Sequence, residues 1–126
     1  MSNPADVYKK VEQETLSGRE VEAAVLIKAA DKLEECQRNW NAPDREQKLD
    51  ESIKFNQLIW SIFQSELAAE DNPLPKEIRA NLLRLSAFID KRSLETIAYP
   101  AAEKLKILID INRNIAAGLR ETPKAA

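Results

Sequence analysis

Apolar residues recur along this chain at intervals of three and four and never alternate with polar ones as in a half-buried strand, so the pattern predicts helices throughout. Prolines at positions 4, 43, 73, 75, 100 and 123, with only two glycines, fall where helix boundaries are expected. The first long helix has a start signal in Ser17-Gly18-Arg19-Glu20, a serine N-cap with a glutamate three residues on. It is expected to run to about Arg38, with the first dozen or so residues at most weakly helical. At about 100° per residue, Val25, Leu26, Ala29, Ala30, Leu33, Cys36 and Trp40 share an arc of about 140°, the width of one buried face.

A second helix from Pro43-Asp44 to about Ala69 carries Leu49, Ile53, Asn56, Trp60, Phe63 and Leu67 at alternating steps of four and three. Phe55, Leu58, Ile59 and Ile62 widen its apolar arc to about 220°, more than one neighbour can cover. This helix is therefore either the centre of a bundle or half of an exposed groove. Asp71-Asn72-Pro73-Leu74-Pro75 predicts a rigid elbow, because each proline drives the residue before it out of the helical region. The third helix places Ile78, Leu82, Leu85, Phe88 and Ile89 on one stripe. Leu94 and Ile97 are rotated away from it, which predicts a break near Lys91-Arg92-Ser93 and a short separate turn capped by Ser93 and Thr96. The fourth helix, about Ala101 to Ala117, spreads Leu105, Ile107, Leu108, Ile109, Ile111 and Ile115 over about 200°. Gly118 is placed to end it in a left-handed cap, and the last residues, about 120–126, are expected to be weakly ordered, as are about 1–14.

These elements predict one all-α domain over residues 1–126, a compact bundle of about four main helices. Its expected core is Leu33, Cys36, Trp40, Ile53, Trp60, Phe63, Leu82, Leu85, Leu108 and Ile115. At 126 residues and 44% hydrophobic, such a domain can bury enough surface to fold without staples. The sole cysteine, Cys36, and the absence of histidine exclude a disulfide framework within the chain, a Cys/His zinc site and Cys/His or Ser/His catalysis. Cys36 lies within the buried arc and reads as a small core hydrophobe.

No basic stretch precedes an apolar run at the N-terminus and no apolar window approaches ~20 residues, so a cytoplasmic protein without a membrane span is expected. The net charge of −2 divides unevenly. Residues 1–74 hold 9 basic and 15 acidic side chains (−6), and residues 75–126 hold 10 and 6 (+4). The halves either complement each other within the fold or offer a mildly basic face to a partner. This balance gives no general attraction for nucleic acid, so direct binding to it is not expected. The carboxylate pairs Glu34/Glu35, Asp44/Glu46 and Asp50/Glu51 have basic neighbours at helical distance and read as solvated faces rather than acid/base pairs. No glycine-rich phosphate loop or metal-ligand run occurs, and neither an enzyme nor a cofactor is expected.

Asn56 and Asn112 lie on the apolar seams of the second and fourth helices, where asparagine is a poor helix former. They form either a buried amide pair that sets helix register or a polar anchor for a partner peptide. The surplus apolar width of the second and fourth helices suits a module that takes another amphipathic helix into a groove, and it equally suits a homo-oligomer. Beside the fourth helix the candidate contact residues are Ile107 and Ile111, with Arg113 on the polar flank and Asn114 adjacent.

Four blocks in order, NQLIWSIFQSEL at 56–67, DNPLP at 71–75, RANLL at 79–83 and LIDINRNIAAGL at 108–119, resemble the FlaF family of flagellar biosynthesis proteins. The likeness spans essentially the whole chain and is least distinctive before Asn39. It implies an all-helical cytoplasmic adaptor with no catalytic residues to carry over. Its implied partner is flagellin, whose synthesis and export it would support, with FlbT as a possible second partner. Two mechanisms are open under that resemblance: a secretion chaperone that holds flagellin, and a post-transcriptional regulator of flagellin translation acting with FlbT.

Overall fold

Four helices account for nearly all of the described residues: α1 (Pro4–Arg38), α2 (Arg45–Ala68), α3 (Lys76–Ala98) and α4 (Leu105–Arg120), the last entered through a 3-10 turn at Ala102–Lys104. The computed structural model describes residues 4–121, with side chains from residue 18 onward, and contains no strand among them. The expectations for residues 1–3 and 122–126 lie outside that range. Helix α1 packs extensively against α4 on one flank and α2 on the other, α2 packs against α3, and α3 meets α4 only sparsely. Arg120 beside Glu20 at one end and Gln37 on the Ala102 carbonyl at the other (3.0 Å) make α1 and α4 antiparallel.

Periodicity explains where the core sits. Ala23, Leu26, Ala29, Ala30 and Leu33 are fully buried along one stripe of α1, and their small and branched side chains let α2 and α4 approach closely. Ile53 and Trp60 of α2 and Leu105 and Leu108 of α4 meet them in the centre, with Ile89 of α3 closing the far side. Cys36 is buried, and desolvation pushes its thiol above the usual range. Trp40, Phe63, Leu85 and Ile115 are half-buried against this cluster, and Leu82 is half-buried outside it. Phe63 stands edge-on to Trp60, ring centroids 5.6 Å apart.

One polar chain crosses the apolar interior. Asn112 accepts a hydrogen bond from the Trp60 indole N–H (2.9 Å) and donates one to the Asn56 side-chain carbonyl (2.6 Å), and both amides are fully buried. The buried-pair reading of the two asparagines is therefore the one the fold adopts. The pairing locks α4 to α2 in a single register, because a slip would strand buried polar groups without partners.

The elbow between α2 and α3 is held by its own polar groups. Asn72 donates to the Glu66 carbonyl (2.9 Å) and accepts from the Leu74 amide (3.0 Å), and Arg79 reaches back to the Ala69 carbonyl (3.0 Å).

Three boundaries differ from the sequence pattern. Ser17-Gly18 does not start a helix: α1 runs unbroken from Pro4, its amides are served within the helix, and Glu20 is engaged by Arg120 (2.8 and 3.2 Å) rather than by a cap. The Arg120 guanidinium holds the Glu20 carboxyl below its ordinary range. Helix α3 does not break at Lys91-Arg92-Ser93. Ser93 and Thr96 return their hydroxyls to the Ile89 and Arg92 carbonyls (2.7 Å each) and face inward, so the buried stripe continues through small polar residues and turns Leu94 and Ile97 outward. Ile78 and Phe88, placed on the buried stripe by spacing, are exposed. Gly118 lies inside α4, which ends at Arg120 with the Glu121 amide on the Ala117 carbonyl, and no described glycine has positive φ.

These findings set three stability outcomes, each measured by urea unfolding. Asn112→Ala is expected to cost about 2–4 kcal/mol, because the Trp60 N–H and the Asn56 carbonyl both lose their partner. Trp60→Ala is expected to cost about 3–5 kcal/mol. A Cβ at position 118 meets open space, so Gly118→Ala is expected to stabilise by about 0.5–1 kcal/mol, whereas a left-handed cap there would make it destabilising.

Candidate functional site

Bundle order leaves two long surfaces where large apolar side chains meet solvent. The first is the sparse seam between α3 and α4. Ile107 is 37% exposed there and lines a cleft of about 350 Å³ together with Arg92, Glu103, Lys104, Lys106 and Asp110. Ile111, one turn on, is half-buried against the core, and Asn114 follows on the same face of α4, exposed. Across the seam Arg92 lies over the Phe88 ring, 5.8 Å from its centroid, and Phe88 is itself exposed.

Arg113 takes a different direction. Its guanidinium pairs with Asp31 (3.3 Å) and with Glu34 of α1, on the flank of α4 away from Ile107. The structure thus brings Ile107, Ile111 and Asn114 together and leaves Arg113 fastening α4 to α1. The cation beside the isoleucines is Arg92, whose Nε is buried with no hydrogen-bond partner and whose nearest carboxylate, Glu95, stands 3.7 Å from Nη1. Helical spacing from Phe88 to Arg92 carries this pairing on one face of α3. The wrongly expected helix break at Arg92 concealed it.

Cleft lining also separates Ile107 from Leu94 and Ile97. Ile97 borders another depression, of about 900 Å³, against Pro43, Leu49 and Pro100 at the start of α2. Lys106 is engaged by Asp110 (2.6 Å) and Lys104 by the Tyr99 carbonyl (2.6 Å), so the rim of the Ile107 cleft is mostly self-neutralised.

The second surface is the outer groove between α1 and α2, where Val21, Leu58 and Ile62 are 59%, 60% and 51% exposed. The surplus width of the apolar arc on α2 therefore does not all enter the core. Lys28 and Lys32 place their ammonium groups 5.6 and 5.3 Å from the centroid of the Phe55 ring at one end of this groove. At the other end, burial raises the Glu22 carboxyl above its ordinary range and the neighbouring Glu66 carboxylate raises it further.

No group of three or more His, Cys, Asp or Glu side chains is arranged to hold a metal ion among the described residues. No described helix is long and apolar enough to cross a membrane. Both surfaces offer apolar contact framed by charge, which is the chemistry of protein recognition.

No curated protein and no solved structure matches the chain. The model of one protein family does, the flagellar protein FlaF, over residues 4–119. That match takes in α1 to within a residue of the end of α4, together with the elbow and the asparagine relay, and the chain belongs to the FlaF family of flagellar proteins.

Proposed function

We propose that this flagellar protein binds flagellin in the cytoplasm and supports its synthesis and export, with the α3/α4 seam as the docking site. The observation that supports the reading is the unfilled seam itself: Ile107 and Phe88 exposed on neighbouring helices, with Arg92 lining the cleft beside Ile107 and lying over the Phe88 ring. An unassembled filament subunit must keep its helical segments from premature self-association, and an amphipathic helix laid along such a seam would be covered. Ile107, Ile111 and Phe88 would supply apolar contact, while Arg92 and Asn114 would meet polar groups on the flanks of the incoming helix. Arg92 has one carboxylate at 3.7 Å whereas Arg113 is engaged by two, which favours Arg92 over Arg113 for this task.

Binding to flagellin as a protein is the role these features favour over direct action on its messenger, since the seam's cations Arg92, Lys104 and Lys106 are interleaved with the carboxylates Glu103 and Asp110 rather than forming a basic patch. FlbT enters as a possible partner on the strength of the family alone. Copurification of flagellin and FlbT, with RNA assayed in the same eluate, separates a chaperone from a translational regulator.

Ile107→Asp is expected to weaken flagellin binding by at least ~2 kcal/mol in calorimetry while leaving the thermal melt largely unchanged. Unchanged affinity would remove the seam as the site, and a collapsed melt would make Ile107 a packing residue.

A further inference from the structure

We propose that the outer groove between α1 and α2 is a self-association surface, on which a second copy of this chain docks about a two-fold axis. Its two walls are regular. Val21, Val25, Lys28 and Lys32 follow one another on α1 at steps of four, three and four. Phe55, Leu58, Ile62 and Glu66 do the same on α2 at steps of three, four and four. Each set forms one helical stripe. The two lysines over Phe55 and the coupling of Glu22 to Glu66 show that the stripes run antiparallel side by side. Val21 and Val25 therefore lie alongside Ile62 and Leu58 in the middle.

The charges at the ends identify the occupant. Lys28 and Lys32 form no ion pair among the described residues, and Glu22 and Glu66 form none either. Elsewhere the surface carboxylates of α1 that face α4 are engaged, by Arg113 and Arg120. The groove is thus positive at one end, negative at the other and apolar between. A two-fold axis through its middle, perpendicular to the helices, lays the positive end of one copy on the negative end of the other. Leu58 and Ile62, one turn apart, then meet their counterparts at the centre, which is the self-complementarity an isologous interface requires. Glu22 and Glu66, which neighbour each other within one copy, would gain the lysines of the second copy, and those lysines would gain carboxylates. The bundle order 4-1-2-3 places this groove on the side opposite the α3/α4 seam, so a dimer would leave both seams open. The inference does not depend on what the seam binds.

Sedimentation equilibrium of the full chain tests it. The wild type is expected to show a monomer–dimer equilibrium of the 14.3 kDa chain. Leu58→Asp is expected to weaken the dimer at least about tenfold without lowering the thermal melt, since that side chain faces solvent in the monomer. Lys28→Glu/Lys32→Glu makes the groove acidic at both ends, and Glu22→Lys/Glu66→Lys makes it basic at both ends. Each is expected to be monomeric alone, and their mixture is expected to restore a heterodimer, a result that requires the charged ends of the groove to lie within the interface. A wild type that stays monomeric at every concentration would overturn the proposal. So would a dimer untouched by Leu58→Asp, or a mixture of the charge variants that fails to associate although both fold. If Leu58→Asp instead abolishes flagellin binding by a monomeric wild type, the groove belongs to flagellin and the proposal also fails. Retained flagellin binding by a monomeric Leu58→Asp, beside a dimeric wild type, would separate this surface from the seam.

Discussion

The hydrogen-bonded chain from Trp60 through Asn112 to Asn56 constrains everything around it. Apolar packing alone would tolerate α4 sliding a turn along α2, since isoleucine and leucine stripes present similar surfaces at each turn. Two buried amides and an indole N–H do not tolerate it, because any other register leaves them desolvated and unpaired at roughly 1–3 kcal/mol each. The Asn56 side-chain NH2 keeps no partner even in the native register, so the relay contributes more to uniqueness than to stability. With α4 fixed to α2, α1 has one place to go, between them, and its alanine-rich stripe fits the narrow space.

Ion pairs at the outer edge of α1 finish what the relay begins. Arg113 on Asp31 and Glu34, and Arg120 on Glu20, join the basic half of the chain to the acidic half. The uneven charge division is in this part an internal complement. Exposed pairs of this kind contribute little to stability individually. Their consequence is directional: cations spent on α1 are not available at the α3/α4 seam, which is left with Arg92.

Helix α3 is the least committed element. Its inward stripe ends in Ser86, Ser93 and Thr96, all of which satisfy their hydroxyls on carbonyls one turn back. Small self-satisfied polar residues permit close approach to the bundle but bury little apolar area, so α3 is held mainly along α2. The sparse contact with α4 follows, and with it the exposed Phe88 and Ile107. The seam proposed for docking thus lies beside the element whose packing is weakest, where local stability is lowest.

Local periodicity was enough to read four helices, the elbow at Asn72–Pro75, the buried stripe of α1 and the seam positions of Trp60 and the two asparagines. Those properties depend on spacing within one element, and block order carried the family resemblance that the match over residues 4–119 establishes. What spacing could not decide was which competing partner a side chain takes. Glu20 had a plausible role in a cap, Ser93 and Thr96 as starters of a new turn, and Gly118 as a terminator. In each case a contact distant in sequence or a back-bond in an unbroken helix prevailed. The direction of Arg113, toward α1 rather than toward a partner, and the outward turn of Leu58 and Ile62 from an arc too wide to bury, were decided only when the helices came together, because exposure is a property of neighbours and a lone helix has none.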